Sequence, residues 1–324
     1  MKVTFCTIIT ANFIHYALSL YESLSRFKDV ESFYILIADS NIDFNNVENN
    51  FPSIKILYPE DVCHDEYGQQ IQQKYQTNNM DCFRWSMKSV LIKYLLETGY
   101  DQVFFLDPDL YFYNPFDFLL QELEGNSVLL TPHWRPSNPY EDPANFAILQ
   151  TSGLFNAGFV GASKAGIPAM EWWAKVCAYE CVKAPERGLF VDQSYLDLMP
   201  IYFEGVKILR HKGCNVANWN QVECKRTLNP EGKVLINNQW EIVFIHFTGS
   251  TVNGILSGKD HFLSSHFAQQ QASLNKYSSW IPAECQQQLS AQTGTKTSQA
   301  SSQWKKTIRR SRQLAGKIKR TVLR

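Results

Sequence analysis

Short apolar runs alternate along this chain with segments of helical period. Val3–Ile9 is a β-branched run that ends at Thr10-Ala11-Asn12, and behind it Ala17, Leu18, Tyr21 and Leu24 recur on one helical face. Residues 33–38 and 54–58 predict the next two strands. Over residues 86–98 the apolar positions Met87, Val90, Leu91, Tyr94 and Leu95 predict a helix, with Gly99 as its stop signal. Val103-Phe104-Phe105-Leu106 has no polar alternation, which is the pattern of a parallel strand buried on both faces. Residues 128–130, 155–160 and 242–247 read as later strands, and 166–179 and 191–199 as intervening helices. Strands separated by helices predict βαβ units, hence an α/β protein with a mostly parallel central sheet flanked by helices. There is no internal repeat.

Composition changes the picture mainly at the C-terminal end. With 44% hydrophobic and 19% charged residues in 324, the chain has material for a sizeable core, which excludes wholesale disorder. Its 31 basic and 31 acidic groups look balanced, but residues 305–324 hold nine Lys/Arg and no acid, so residues 1–304 carry a net −9. That balance speaks against a nucleic-acid partner for the main body. In residues 286–304, thirteen of nineteen are Gln, Ser or Thr, the composition of a flexible linker. The expected organisation is therefore a domain over 1–285, a polar linker over 286–304, and a basic tail over 305–324. In the tail Leu314, Ile318 and Val322 recur at helical spacing, with Trp304 and Ile308 as a second apolar pair. This predicts an amphipathic helix drawn to an anionic membrane surface. No run of eighteen apolar residues and no signal-peptide core occurs, and the eight cysteines form no CxxC, so reduced thiols and a cytoplasmic location, peripheral on the inner face of the membrane, are expected. Cys177 and Cys181 stand four residues apart in a helical stretch and read as packing rather than metal ligands.

The chemistry begins at Asp107-Pro108-Asp109, two carboxylates at i, i+2 where a buried strand runs out. The period-two pleat points both to one side, and Pro108 lacks an N–H to donate, which suits a strand passing into a loop. Ligands of open α/β sheets bind at the carboxyl ends of strands. Two carboxylates there repel each other unless a divalent cation lies between them; oxygen ligands suit Mg²⁺ or Mn²⁺, which also grip phosphates. The plain alternative is an Asp-Pro-Asp turn, and the apolar strand ahead of it favours the site. His246, at the end of another apolar run and just before Gly249, completes a set of two carboxylates and one imidazole; its plain alternative is a core histidine.

Five signatures occur in order over about residues 1–250: Ile8-Ile9-Thr10-Ala11-Asn12, Asp107-Pro108-Asp109, Phe155-Asn156-Ala157-Gly158-Phe159, Asp192-Gln193, and His246-Phe247-Thr248-Gly249. In this order they resemble the GT-A-fold, nucleotide-sugar-dependent glycosyltransferases, above all the retaining family of glycogenin and the lipopolysaccharide galactosyltransferases. The resemblance implies a Rossmann-like GT-A domain in which Asp107, Asp109 and His246 bind Mn²⁺ (or Mg²⁺). It implies Thr10, Ala11 and Asn12 against uridine and ribose, and Arg84 and Lys88, at the start of the helix before the Asp-Pro-Asp strand, at the sugar or phosphates. Asn156 and Ala157 are implied for the donor-sugar pocket, and Asp192 and Gln193, as the catalytic pair, beside the anomeric carbon. The implied reaction moves a hexose from a nucleoside diphosphate sugar, a UDP-sugar, to a glycan or lipid-linked glycan acceptor with retention; an Asp192 in line behind the acceptor hydroxyl would instead be a general base and invert.

Two positions depart from the family: Ser194 where a second Asp is frequent, and Val252 where a Lys is. Lys259 reads as a solvated surface lysine rather than a replacement cation. The loops 133–136 and 215–220 place Trp134 and Trp219 where rings stack on sugars, with core packing the equal alternative for Trp219, and Arg135 suits an acidic or phosphorylated acceptor. Trp172 and Trp173 read as helix core. Competing classes are an Asp-dependent phosphohydrolase, which would carry its Asp-x-Asp on the first strand, a nucleotidyltransferase, which would follow that strand with a Gly-rich basic loop, and a non-catalytic carbohydrate-binding protein of the same fold.

Overall fold

The computed structural model describes residues 1–39 and 42–285. The expected linker 286–304 and basic tail 305–324 lie outside the described residues. Residues 1–280 form one compact unit. Its strands are β1 (Val3–Ile9), β2 (Phe33–Ile37), β3 (Ile54–Leu57), β4 (Gln102–Leu106), β5 (Leu110–Phe112), β6 (Val128–Pro132), β7 (Phe155–Ser163), β8 (Val206–Ile208) and β9 (Phe244–His246), beside shorter ladders. Seven of them make the central sheet, in the order β8-β6-β7-β4-β1-β2-β3. β1 pairs in parallel with β2 and β4, β2 with β3, and β8 with β6. Only β7 runs the other way, antiparallel to both β4 and β6. The expected mostly parallel α/β architecture is the one observed.

The sheet is buried on both faces, which is why its strands lack polar alternation. Cys6, Ile8, Val103, Phe105, Leu130 and Val160 join one core with helices α2 (Met80–Glu97) and α3 (Ile167–Tyr179). Phe104, one residue from Phe105, packs on the opposite side in a chain of rings: Phe5 at 5.6 Å, Phe159 at 6.1 Å, and Phe244 at 5.2 Å from Phe159. A fully buried Phe contributes about 1.5–3 kcal/mol, so these two faces carry much of the fold. Helix α1 (Ile14–Ser25) meets β5, where Ser23 Oγ accepts the Phe112 N–H at 3.1 Å.

Three elements differ from expectation in ways that matter for the site. Helix α2 starts six residues before 86, capped by Asn79, whose side chain accepts from the Cys82 N–H. Its buried residues encircle it, so its early turns carry no amphipathic stripe to read. Arg84 and Lys88 therefore lie inside the helix, four apart on one face, and not at its start. The expected 191–199 helix is absent: Val191 has φ +49°, a 3₁₀ turn covers Gln193–Leu198, and only a short helix, Met199–Tyr202, follows. The 242–247 run narrows to β9, which pairs antiparallel with β5 and sets His246 opposite Leu110. Cys181 falls beyond the end of α3, and both it and Cys177 are buried. Trp173 is fully buried and Trp172 packs partly against the same core, as expected. Among the described residues no helix is long and apolar enough to cross a membrane.

Candidate active site

The Asp107 N–H donates to the Gly158 carbonyl at 2.7 Å, the last bond between β4 and β7, and the Leu110 N–H then closes back on the Asp107 carbonyl at 3.1 Å. A tight turn around Pro108, not the strand pleat, thus brings the two carboxylates to one side. Directly after the turn, β5 pairs with β9, so the residue that closes the turn lies beside the histidine. Nε2 of His246 is 3.0 Å from Asp109 Oδ1 and 3.8 Å from Asp107 Oδ2. One ligand atom from each of the three residues lies within 4.8 Å of the others.

The surroundings of this triad suit a divalent cation. Nδ1 of His246 faces Asn215 Oδ1 at 3.3 Å, an acceptor that holds the proton on Nδ1 and frees Nε2 for a ligand bond. Asn215 is fully buried at φ +58°, a conformation asparagine tolerates better than most residues. Burial works against both charges, yet the two partners outweigh it: His246 is held above its ordinary pKa by Asp109, and Asp109 below its own by His246. A cation would replace that shared proton with a stronger neutraliser. Gly158 makes the room. A Cβ there would lie 2.6 Å from His246 Cε1, 2.7 Å from Asp107 Oδ2 and 2.8 Å from Asn156 Oδ1.

Lys88 joins the triad to Asp192. Its Nζ sits 3.1 Å from Asp107 Oδ1 and 3.5 Å from Asp192 Oδ2, donates to the Ala157 carbonyl at 3.1 Å, and lies 5.1 Å over the Phe105 ring. Burial opposes its charge, but Asp107 and Asp192 more than compensate and hold its pKa above the ordinary value. Asp192 is 1% exposed. Burial, with Asp107 adding to it and Lys88 opposing, pushes its carboxyl up to about 6. Its side chain does not cap the following turn; instead Trp173 Nε1 of α3 donates to its carbonyl at 2.9 Å and fixes the backbone.

Behind Lys88 lies a closed network of amides. Gln193 Oε1 accepts from Asn156 Nδ2 and from the Ala157 N–H, both at 3.2 Å, while its Nε2 donates to the Ser152 carbonyl. Asn156 Oδ1 accepts the Gly158 N–H at 3.1 Å, and its Nδ2 also faces His133 Nε2 at 3.3 Å. Nδ1 of His133 faces the Gly153 carbonyl at 2.9 Å, so Nδ1 carries the proton and Nε2 accepts. Burial pushes His133 down to about 3, which keeps it neutral. His133, read from sequence as part of an acceptor loop, is an anchor of this network. Trp219 from the second such loop is also buried, edge-on between His133 at 5.3 Å and His246 at 5.4 Å.

At the end of β1, Thr10 Oγ1 donates to Asn12 Oδ1 at 2.6 Å, and the Ala11 N–H donates to Asp39 Oδ1 at 2.8 Å. Asp39, one residue past the predicted 33–38 strand, escaped the sequence reading, although an acid closing an apolar strand is the signal that pointed to Asp107. A cleft of ≈ 490 Å³ runs from Phe13 and Tyr16 past Arg84 and Lys88 to Asp107 and Asp109. Ile8 and Phe13, on either side of the 10–12 triplet, line it; the triplet itself does not. Asn156, Ala157, Asp192 and Gln193 are buried behind it. Helix α4 (Gly249–Leu256), capped by Thr248, closes the far wall with Gly249, Val252 and Asn253. Val252 leaves that wall without a cation. Lys259 is exposed and does not line the cleft, whereas Arg84 does, its Nε buried without a hydrogen bond.

No family model matches the chain. The uncharacterized protein YfnF of Bacillus subtilis (strain 168) is 25% identical over 260 residues, covering 79% of this chain and 84% of that protein. YfnD of the same organism is 24% identical over 254 residues, covering 76% and 78%. Among solved structures, the apo form of mouse xyloside xylosyltransferase 1 superposes with a TM-score of 0.50 at 12% identity, covering 78% of this chain and 99% of that one. At that identity the likeness is one of fold, and the fold is the GT-A-type α/β architecture expected from the sequence.

Proposed function

We propose that this protein is a metal-dependent glycosyltransferase that moves a hexose from a nucleoside diphosphate sugar, a UDP-sugar, to a glycan or lipid-linked glycan acceptor with retention. The observation that carries the reading is the Asp107–Asp109–His246 triad, whose two carboxylates line the cleft and which Lys88 joins to Asp192 buried behind it. A fold shared with a protein named as a xylosyltransferase supports it. Mn²⁺ or Mg²⁺ held by the triad would supply Lewis-acid stabilisation of the departing diphosphate.

The chain's own residues do the rest. Arg84 meets the phosphates and stands in for the lysine absent at Val252. Thr10, Ala11 and Asn12, braced by Asp39, hold the backbone that sets Ile8 and Phe13 at the nucleoside end of the cleft. Gln193, tied to the Ala157 N–H and Asn156, fixes the wall against which the donor sugar rests. Lys88 orients Asp107 and Asp192 at once, and the Asp192 carboxylate stabilises positive charge at the anomeric carbon as the donor bond breaks. Burial of Asp192 favours this role over that of a base open to solvent. The basic tail 305–324 would hold the protein at an anionic membrane surface.

Because Asp192 must be an anion, donor turnover is expected to fall about tenfold per pH unit below an acid limb at about 6. The sign follows from the carboxyl: its charge is present above its pKa and lost as pH drops through it. A profile of kcat/KM between pH 4.5 and 8 checks this, and a flat profile refutes the role. The reading as a whole is tested by nucleoside diphosphate release from a panel of UDP-, GDP- and ADP-sugars, with Mn²⁺ or with EDTA. Release from at least one donor, dependent on the metal, is expected. Liberation of inorganic phosphate instead would point to a phosphohydrolase, and binding without turnover to a carbohydrate-binding protein.

A further inference from the structure

A second cleft, of ≈ 240 Å³, opens on the same rim of the sheet, where β6 and β8 end and β7 begins. Pro132, Trp134, Leu154 and Ile208 give it apolar walls, and two arginines, Arg135 and Arg210, line it. Among the described residues neither arginine takes part in an ion pair. Arg135 is half-buried and fixed by neutral groups: its Nε donates to Ser152 Oγ at 3.1 Å and its Nη1 to Asn145 Oδ1. Burial lowers it to about 10, with only the more distant Asp142 opposing. Arg210 is exposed at the mouth and makes no hydrogen bond among the described residues. A cation removed from water without a carboxylate beside it is costly, so its presence calls for an anion from outside.

This cleft is wired to the metal triad. Asn145, which holds Arg135, donates through Nδ2 to the Trp219 carbonyl at 2.6 Å, and the Trp219 ring rests against His246. Its lining residue Gly153 lies against Gln193: a Cβ there would be 3.4 Å from the Gln193 carbonyl oxygen. The cleft thus shares a wall, built by Trp219 and Gln193, with the triad and its amide network, and none of the donor-cleft cations lines it.

We infer that this second cleft is an acceptor subsite for an oxyanion group, the carboxylate of a uronic acid or a sugar-linked phosphate, gripped between Arg135 and Arg210 with its sugar ring against Trp134. Calling the ligand an acceptor rests on the proposed function; the anion site itself does not. Arginine is the residue suited to forked contacts with carboxylate and phosphate.

The test uses the full-length protein and calorimetric titration with three probes: hexyl β-D-glucuronide, hexyl α-D-glucosyl phosphate and neutral hexyl β-D-glucoside. At least one anionic probe is expected to bind about tenfold or more tightly than the glucoside, and comparing the two anionic probes identifies the carboxylate or the phosphate as the group recognised. R210Q, at an exposed side chain without hydrogen bonds, is expected to lower that preference at least about threefold, the remainder resting on Arg135. Equal binding of all three probes by the wild-type protein, or a preference that R210Q leaves intact, overturns the inference. Metal-dependent donor hydrolysis is followed in the same preparations. Its absence would count against glycosyl transfer, while the binding ratio alone decides the anion site.

Discussion

Replacing Asp109 with alanine is expected to abolish metal-dependent donor turnover, by about a thousandfold or more, while leaving the fold intact. The side chain is the nearest partner of His246 Nε2, at 3.0 Å, so the variant loses a ligand and leaves the imidazole facing Asp107 alone. The backbone has no reason to follow, because the Asp109 carbonyl still accepts the Phe247 N–H at 2.9 Å and β5 still pairs with β9. Taking away one of two close carboxylates also relieves repulsion in the metal-free protein, which offsets the lost pairing with His246. Manganese titration followed by electron paramagnetic resonance, set beside a thermal melt, separates the two effects. Full turnover by this variant in excess EDTA would defeat the metal assignment.

The substitution G158A makes the same point from the opposite side, by adding one methyl group. That methyl would fall within 2.8 Å of three atoms, belonging to His246, Asp107 and Asn156. None is the free end of a flexible side chain. His246 lies on a paired strand and is held by Asn215, Asp107 is held by Lys88, and Asn156 Oδ1 bonds the Gly158 N–H. The methyl must therefore spread the triad. Metal affinity is expected to fall at least about tenfold, as losing a supporting contact of a metal ligand does, and turnover to fall in step. Overpacking costs about 1–3 kcal/mol of stability, which a denaturant series would read. Wild-type metal affinity in this variant would mean that the cage yields, and that the fit to a cation is not set by Gly158.

Buried strands were the most legible part of this chain. β1, β4 and β7 are buried on both faces, so Val103-Phe104-Phe105-Leu106 shows its place through unbroken apolarity. Asp107, Asp109 and His246 were legible for the same reason, as polar residues that abruptly end such runs, and the structure brings them together. Contacts between distant segments left less trace. Nothing local to Asn215 announces that it orients His246, and nothing in Trp173 announces that its Nε1 fixes Asp192. Asn156 and Gln193 look in sequence like groups waiting for sugar hydroxyls; folded, they satisfy one another and the backbone around them. The early turns of α2 were missed because a helix buried all round has no stripe, and that shifted Arg84 and Lys88 from a helix start to its interior.

The reversed direction of β7 divides the molecule's tolerance for change in two. Since β7 enters the sheet where β4 and β6 leave it, the Asp107–Asp109 turn and the start of β7 project from one rim, and the turn at 124–126 lies on the other. There Asp101 pairs with Lys164 at 2.8 Å and accepts the Lys2 N–H, at the rim opposite the Asp107–Asp109 turn. A fluorescent protein, an affinity handle or a new pair of termini grafted into that turn would leave the chemistry undisturbed, whereas the same graft after β6 would fall inside it.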